Sequence, residues 1–192
     1  GVAHTNVTIE NCTNKGAVTN TSSDQRPYVG GVSGYGTATS IKGCYNKGEV
    51  KVTNAGGIPQ TGGILGNDAG NMTIDGCYNQ GNVTVTKSTG TFGAGGISCN
   101  STTTTTIKNC VNEATVKVSQ NGQHAYSGGI VGVGHGKVLD CQNASTAKVI
   151  VEHTASTATK YALAGGVVGK TSGSALTVKG CVNYGSVEAN II

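Results

Sequence analysis

The sequence has no tryptophan, one phenylalanine, one methionine, two prolines and only four leucines among its 192 residues. A helical bundle or an ordinary α/β domain could not fill its core from so few large apolar side chains. Charged residues make up only 11 % of the chain and hydrophobic residues 36 %, a composition that also argues against disorder. No apolar run approaches the roughly 18–20 residues that a transmembrane helix needs, so we expect no membrane span in this chain.

Glycine is abundant, with 32 residues, or one in six against a usual share of about 7 %. The two prolines exclude a collagen triple helix. The net charge of +4 comes from lysines scattered along the chain and a single arginine. Because no basic cluster or stacking platform occurs, we expect no nucleic-acid partner.

A short phrase recurs six times along the chain. It is centred on a cysteine, with a β-branched residue three positions before it and an asparagine two positions after it. The cysteines are Cys12, Cys44, Cys77, Cys110, Cys141 and Cys181. The β-branched residues are Ile9, Ile41, Ile74, Ile107, Val138 and Val178. The asparagines are Asn14, Asn46, Asn79, Asn112, Asn143 and Asn183. Matches at this density indicate an internal repeat with a period of about 33 residues.

Two further features accompany the phrase. Glycine follows the asparagine by two positions in four copies, with Ala114 and Ser145 in the others, and valine follows two residues later except at Ala147. A second block, Gly-Gly-(Ile/Val)-x-Gly, occupies residues 30–34, 62–66, 128–132 and 165–169. In the remaining copy, residues 95–99, the last glycine is replaced by Cys99.

The segments between these motifs alternate β-branched and polar residues with a period of two, as in Val83-Thr84-Val85. That period is typical of strands and excludes the helical repeats of similar length. The sequence therefore predicts an all-β, right-handed parallel β-helix (β-solenoid) of five to six coils of about 33 residues, with three short strands per coil. In the coil of residues 72–98, we place the bend of the first strand at Gly76. The residue before each cysteine is always glycine, asparagine or aspartate, types that tolerate a left-handed backbone, so we expect a corner there.

Stacking such coils places like residues on one another. Stacked cysteines would have Cβ atoms near the coil spacing of about 4.8 Å, whereas a disulfide needs about 3.8 Å. We therefore expect free thiols, buried as small hydrophobic groups. Each stacked asparagine can donate to the next coil and accept from the previous one, which predicts an amide ladder.

The pattern resembles the GLUG-motif repeat family, whose Gly-hydrophobic-x-Gly core is similar to Gly31-Val32-Ser33-Gly34 and Gly129-Ile130-Val131-Gly132. The flanking phrase Gly-Cys-Tyr-Asn-x-Gly-x-Val, at residues 43–50, is also similar to that family. The resemblance implies a bacterial cell-surface or secreted, adhesin-like protein, and no catalytic residues within the repeat. We expect residues 1–192 to form a single β-solenoid domain, a fragment of a longer surface protein with flanking domains.

The long connections before the double glycine carry most of the remaining aromatic side chains, and we expect these to line up along one edge. Aromatic faces bordered by polar groups suit sugar rings or a protein partner, so a host glycan or surface protein is the candidate ligand. The alternative is that these rings only pack the loops onto the coil. We place His153 in the longest of these connections, residues 150–164, near His124. The candidate ligand-binding residues are Arg26, Tyr28, Phe92, His124, Tyr126, His153 and Tyr161.

The acidic residues do not form an assembled catalytic pair. Glu10 and Asp75 share a register but lie two coils apart, and only nine acidic residues are present. No cysteine or histidine spacing is typical of a metal site, so we expect no cofactor and no bound metal. The sequence favours a non-catalytic adhesin-like or stalk module. The alternative is a carbohydrate-active β-helix of the polysaccharide lyase or hydrolase kind.

Overall fold

In a computed structural model the chain forms a parallel β-solenoid. The structure describes residues 2–3, 6–23, 26–53, 56–86, 90–121, 123–154 and 160–191, without the side chains of residues 2, 3, 92 and 174. The described residues contain strands and turns but no helix, and hence no helix long and apolar enough to cross a membrane.

The strands follow one another in chain order around the solenoid. The first fourteen are β1 (Val2–Ala3), β2 (Thr8–Glu10), β3 (Thr13–Asn14), β4 (Val18–Asn20), β5 (Tyr28–Gly30), β6 (Ser33–Gly36), β7 (Ser40–Lys42), β8 (Tyr45–Asn46), β9 (Val50–Thr53), β10 (Gln60–Gly62), β11 (Leu65–Asp68), β12 (Thr73–Asp75), β13 (Tyr78–Asn79) and β14 (Val83–Thr86). The remaining strands are β15 (Phe92–Gly95), β16 (Ser98–Asn100), β17 (Thr106–Lys108), β18 (Val111–Asn112), β19 (Val116–Asn121), β20 (Ala125–Gly128), β21 (Val131–Leu139), β22 (Gln142–Asn143), β23 (Lys148–Thr154), β24 (Ala162–Gly165), β25 (Val168–Lys179), β26 (Val182–Asn183) and β27 (Ser186–Ile191).

Each coil runs through three segments, as the sequence predicts. In the coil of residues 73–100, the first segment comprises β12 and β13, the second is β14, and the third comprises β15 and β16. The first segment bends at Gly76 and the third at residues 96–97, so each of these two contains two short strands. Every segment pairs in parallel with its equivalents in the neighbouring coils, for example β14 with β9 and β19. The predicted β-solenoid is therefore confirmed.

The repeated residues lie in register, as expected. Ile74 pairs with Ile41 on one side and Ile107 on the other, and Asn79 pairs in the same way with Asn46 and Asn112. Isoleucines and cysteines of the first segment pack with the Gly-Gly-(Ile/Val) corner in one buried cluster. Valines of the second segment, such as Val83 and Val85, form a second buried cluster. A coil alone could not bury these faces, so each coil depends on its neighbours.

The predicted corners before the cysteines have the left-handed backbone that their residue types allow. All six have positive φ, between 51° and 66°: Asn11, Gly43, Gly76, Asn109, Asp140 and Gly180. Asparagine and aspartate tolerate this conformation because their short polar side chains bond locally. The corner therefore explains why the position before the cysteine never carries a β-branched or bulky residue.

One register assignment made from the sequence is wrong. The valine ladder continues from Val116 to Val149 and then Val187, so Ala147 is not its fifth member. The fifth copy has two extra residues in the corner after Asn143, where the Ala147 N–H donates to the Ala144 carbonyl oxygen at 3.0 Å. Counting a fixed distance from the cysteine misses this insertion.

Candidate functional site

A groove runs along the outside of the rod, beside the sharp turn that connects β15 to β16. We call it the lateral groove. The same turn connects the equivalent strands in the other coils, such as β10 to β11 and β20 to β21. One wall is formed by Tyr28, Gln60, Gly93, Tyr126 and Leu163, which are paired in register. The other wall is formed by Tyr35, Asn67, Asn100, Val133 and Lys170, which also follow one another in register. Both walls therefore present one residue per coil, about 4.8 Å apart.

At the sharp turn between the walls, the last residue of the double-glycine block is glycine in four coils and Cys99 in the coil of Gly93. A Cβ atom on Gly66 would stand 2.6 Å from the backbone nitrogen of Val29 in the preceding coil, and one on Gly132 would stand 2.7 Å from the Ala94 carbonyl oxygen. Real Cβ atoms essentially never approach so closely. Glycine at these positions thus lets the two walls lie against each other and sets the depth of the groove.

Side chains bridge the groove near both ends of the described rod. The rings of Tyr28 and Tyr35 stack across it with centroids 5.7 Å apart. In the later coils, Lys170 Nζ donates to Tyr126 Oη at 3.3 Å and lies 4.5 Å from the centroid of the Tyr126 ring. The groove is open between these bridges, in the coil of Gly93.

The opening at Gly93 is a pocket of about 260 Å³, which we call the Gly93 pocket. It is lined by Ile58, Gln60, Thr91, Gly93, Cys99, Asn100, Tyr126 and Val133. None of these side chains is charged. Gln60 Oε1 is buried and has no hydrogen-bond partner among the described residues.

A second hollow lies beside a cluster of rings from consecutive coils. His124 stacks on Tyr161 with centroids 5.0 Å apart and on Tyr126 at 6.2 Å. The cleft has a volume of about 860 Å³ and is completed by Thr91, Leu163, Val168, Gly169, Lys170 and Thr171. Tyr161 is 58 % exposed, whereas Tyr126 is only 4 % exposed and forms part of the wall.

The electrostatics of this cluster favour a neutral imidazole. His124 Nδ1 accepts the backbone N–H of Tyr161 at 3.0 Å, a bond that protonation of Nδ1 would abolish. The pKa of His124 is lowered, first by desolvation and then by the positive charges of Lys160 and Lys170. The cluster therefore presents neutral rings beside a lysine ammonium group.

The structure brings together some of the predicted ligand-binding residues and separates others. His124, Tyr126 and Tyr161 share the ring cluster, and Tyr28 lies further along the same wall. Arg26 is exposed just before Pro27, at the Tyr28 end of that wall. The side chain of Phe92 lies outside the described residues.

The placement of Tyr28, Tyr126 and His153 in long connections is wrong. Tyr28 lies in β5 and Tyr126 in β20. His153 lies in β23, which extends to Thr154, and its side chain is fully buried. Its Nε2 donates to the carbonyl oxygen of Gln123 in the preceding coil. One coil earlier, Gln120 Nε2 donates to the Gly90 carbonyl oxygen at 2.7 Å, so the two residues fasten equivalent loops. Their identical register, 33 residues apart, is the sequence signal that could have revealed this role.

Three of the nine acidic residues, Glu10, Asp75 and Glu152, each lie beside a lysine of a neighbouring coil. Lys42 Nζ is 3.6 Å from Glu10, Lys108 Nζ is 3.2 Å from Asp75, and Lys117 Nζ is 2.7 Å from Glu152. Hydrogen bonds from Asn109 and Lys108 lower the pKa of Asp75. Hydrogen bonds from Lys117 and Ser119 lower the pKa of Glu152. These ion pairs hold both carboxylates in the ionised form.

Asp68 is a buried carboxylate that the sequence analysis did not single out. It accepts the backbone N–H groups of Gly70 and Thr102, at 2.6 and 3.0 Å, and the hydroxyl of Thr105. Desolvation outweighs these bonds and raises its pKa. Asp68 therefore ties the loop of its own coil to the loop of the next.

All seven cysteines are free in the described structure. Five are buried, Cys181 is half-buried and Cys12 is exposed. In the ladder the Cys77 N–H donates to Cys110 Sγ at 3.4 Å, and each ladder thiol lies within reach of the carbonyl two residues before it. Cys99 stands apart in the lateral groove, where Sγ–H donates to the Gly93 carbonyl oxygen at 3.0 Å. Burial raises the pKa of Cys99 to about 12.

The described residues contain no group of three or more histidine, cysteine or acidic side chains placed to hold a metal ion. Comparisons with protein-family models, curated proteins and solved structures each found no match for this chain.

Proposed function

We propose that the chain is a non-catalytic, adhesin-like module of a bacterial cell-surface or secreted protein, built from repeats of the GLUG type. In this proposal the rod binds a host glycan chain along the lateral groove. The observation that carries the proposal is the pairing of two walls that repeat along the rod axis. A linear polymer lying parallel to that axis would meet one residue of each wall at every coil.

The chemistry of the walls supports a glycan as the ligand class. Two carboxamides, those of Gln60 and Asn100, lie between the rings of Tyr28 and Tyr126 along the groove. Aromatic faces pack against the apolar faces of sugar rings, and carboxamides both donate to and accept from hydroxyl groups. The exposed ring of Tyr161 extends this surface beyond the groove.

The ion pairing of the carboxylates favours a binding module over a hydrolase or lyase. A glycosidase needs two carboxyl groups on either side of one bond, about 5–9.5 Å apart, and one of them must hold a proton. Asp75 and Glu152 each face a lysine, and their pKa values are lowered. Neither is suited to act as a general acid near neutral pH. Asp68, whose pKa is raised, is only 2 % exposed and is bonded to Gly70, Thr102 and Thr105.

A glycan-array screen tests the proposal. We expect the wild-type protein to bind at least one class of glycan, and the Tyr126→Ala, Tyr161→Ala double variant to lose at least tenfold in signal. The matched control is Tyr45→Ala, Tyr78→Ala, which removes two tyrosines that stack at 5.0 Å on another face. Because Tyr126 is buried, the single variant Tyr161→Ala and a thermal melt accompany the double variant. Negligible signal from all proteins would contradict glycan binding and leave a spacer role.

A further inference from the structure

We propose that the Gly93 pocket is a subsite that holds one neutral, hydroxyl-bearing ring, a single sugar residue of the bound glycan. The inference rests on the proposed glycan-binding function and assigns it a specific position and residue set. The pocket lies in the middle of the rod, with the coil of Gln60 on one side and that of Tyr126 on the other.

The fold itself does not require glycine at position 93. The equivalent wall positions carry Tyr28, Gln60, Tyr126 and Leu163, so this strand accepts large side chains in the coils that have glycine where the coil of Gly93 has Cys99. A Cβ atom on Gly93 would lie 3.4 Å from the nearest atom, the Tyr126 carbonyl oxygen, and 3.6 Å from Cys99 Sγ. On Gly95, by contrast, it would collide with the Ser98 carbonyl oxygen. The missing side chain at Gly93 thus opens a space that a side chain would otherwise fill.

The lining selects a neutral ligand with hydroxyl groups. No lining residue carries a charge, since the burial of Cys99 keeps its thiol protonated. The Gln60 side chain lines the pocket, and its Oε1 has no hydrogen-bond partner among the described residues. A carboxamide both donates to and accepts from hydroxyl groups, whereas an apolar peptide side chain would leave it without a new partner. Asn100 offers a second carboxamide in the same pocket.

The size and the remaining walls suit one ring. The volume of about 260 Å³ lies just below the range of about 300–1,000 Å³ that is typical of pockets for drug-sized ligands. Ile58 and Val133 supply apolar contacts for a ring face. A longer glycan would place one residue in the pocket and continue outside it, past the contact between Tyr126 and Lys170.

The experiment fills the pocket while keeping the fold. Gly93→Leu introduces a side chain that the equivalent position, Leu163, already carries. The matched control is Thr84→Leu, which adds the same residue at an outward position of the second segment in the same coil. The probes are the methyl glycosides of glucose, galactose, mannose and N-acetylglucosamine, titrated by NMR. The readouts are the affinity and the shifts of the Gln60 and Asn100 carboxamide resonances.

We expect at least one glycoside to shift the Gln60 and Asn100 resonances in the wild type and in Thr84→Leu, with affinity at least tenfold weaker in Gly93→Leu. Equal binding by Gly93→Leu and wild type would overturn the subsite. So would the absence of any shift at Gln60, which would mean that water alone occupies the pocket. If either result is found but the glycan array still detects binding, the proposed glycan-binding function stands without this subsite. If the array is also negative, both the subsite and the glycan-binding function are contradicted.

Discussion

Gly63 lies directly against the carboxamide of Asn79. A Cβ atom on Gly63 would overlap the carboxamide carbon of Asn79 as well as the carbonyl oxygen of Gly96. The same relationship recurs between Gly31 and Asn46 and between Gly129 and Asn143. The double glycine and the asparagine are therefore two sides of one contact inside the coil, which explains why both motifs recur with the same period.

Gly63→Ala should destabilise the protein strongly. The added methyl group meets backbone on one side and, on the other, an amide that is hydrogen-bonded to both neighbouring coils, so neither neighbour can move aside. We expect a loss of about 3 kcal/mol, at the upper end of the cost of overpacking, measured by urea unfolding. Gly93→Ala is the control, since its Cβ makes only ordinary contacts, and we expect it to be neutral or stabilising by about 0.5 kcal/mol. Equal losses for both variants would show that the contact with Asn79 is unimportant.

Asn79→Ala should cost far more than Asn14→Ala. Asn79 Nδ2 donates to Asn112 Oδ1 at 2.9 Å, and its Oδ1 accepts from Asn46 Nδ2 at 2.8 Å, all in the buried interior. Asn14 makes only one such ladder bond, at 2.8 Å, and is partly exposed. With buried groups left unpaired, we expect a loss of about 3 kcal/mol for Asn79→Ala and about 1 kcal/mol for Asn14→Ala. Chemical denaturation at neutral pH gives both values, and similar losses would mean that the ladder does not act through buried bonds.

The ladders could be predicted because each depends on residue identity at one position of a regular repeat. The six left-handed corners were predictable for the same reason, since only a few residue types tolerate that backbone. The prediction was wrong where regularity ends. The two extra residues before Val149 shift the count, and β23 extends through His153 where a loop was expected.

The lateral groove lies between two different ladders of residues, so neither ladder alone predicts it. Its walls face each other because the chain turns sharply at the double glycine, bringing together residues seven positions apart, such as Tyr28 with Tyr35 and Tyr126 with Val133. The spacing of seven residues across the Gly-Gly-(Ile/Val)-x-Gly block is the same in every coil, and it can be read from the sequence once the turn is known. The Gly93 pocket needed the three-dimensional neighbours as well, because one more glycine among 32 carries no signal of its own.

Thiol labelling should separate the cysteines by their position. In the native protein we expect a disulfide reagent to modify Cys12 quickly, because it is exposed, and Cys181 more slowly, because burial raises the pKa of its thiol. Cys99 should stay unmodified, since it is buried with a pKa of about 12 and its thiolate is scarce at pH 8. All seven should react in denaturant, and Cys12→Ser should remove the fast phase alone. Fast native modification of Cys99 would contradict its position in the floor of the groove.

Stability should fall as the pH drops below about 6.5, in part through His124. The unfolded histidine has a pKa near 6.5, and the folded pKa is lowered, so below that value the unfolded chain binds more protons and is favoured. His124→Phe should therefore lose less stability than the wild type between pH 7.5 and 5.5, measured by urea unfolding. The lowered pKa of Asp75 acts only at lower pH, since its contribution is present above about pH 4 and is lost as pH falls through the folded value. The raised pKa of Asp68 acts in the opposite direction, adding stability as the pH falls, but equally in both proteins. Parallel pH profiles of stability for wild type and His124→Phe would contradict a lowered pKa of His124 in the folded protein.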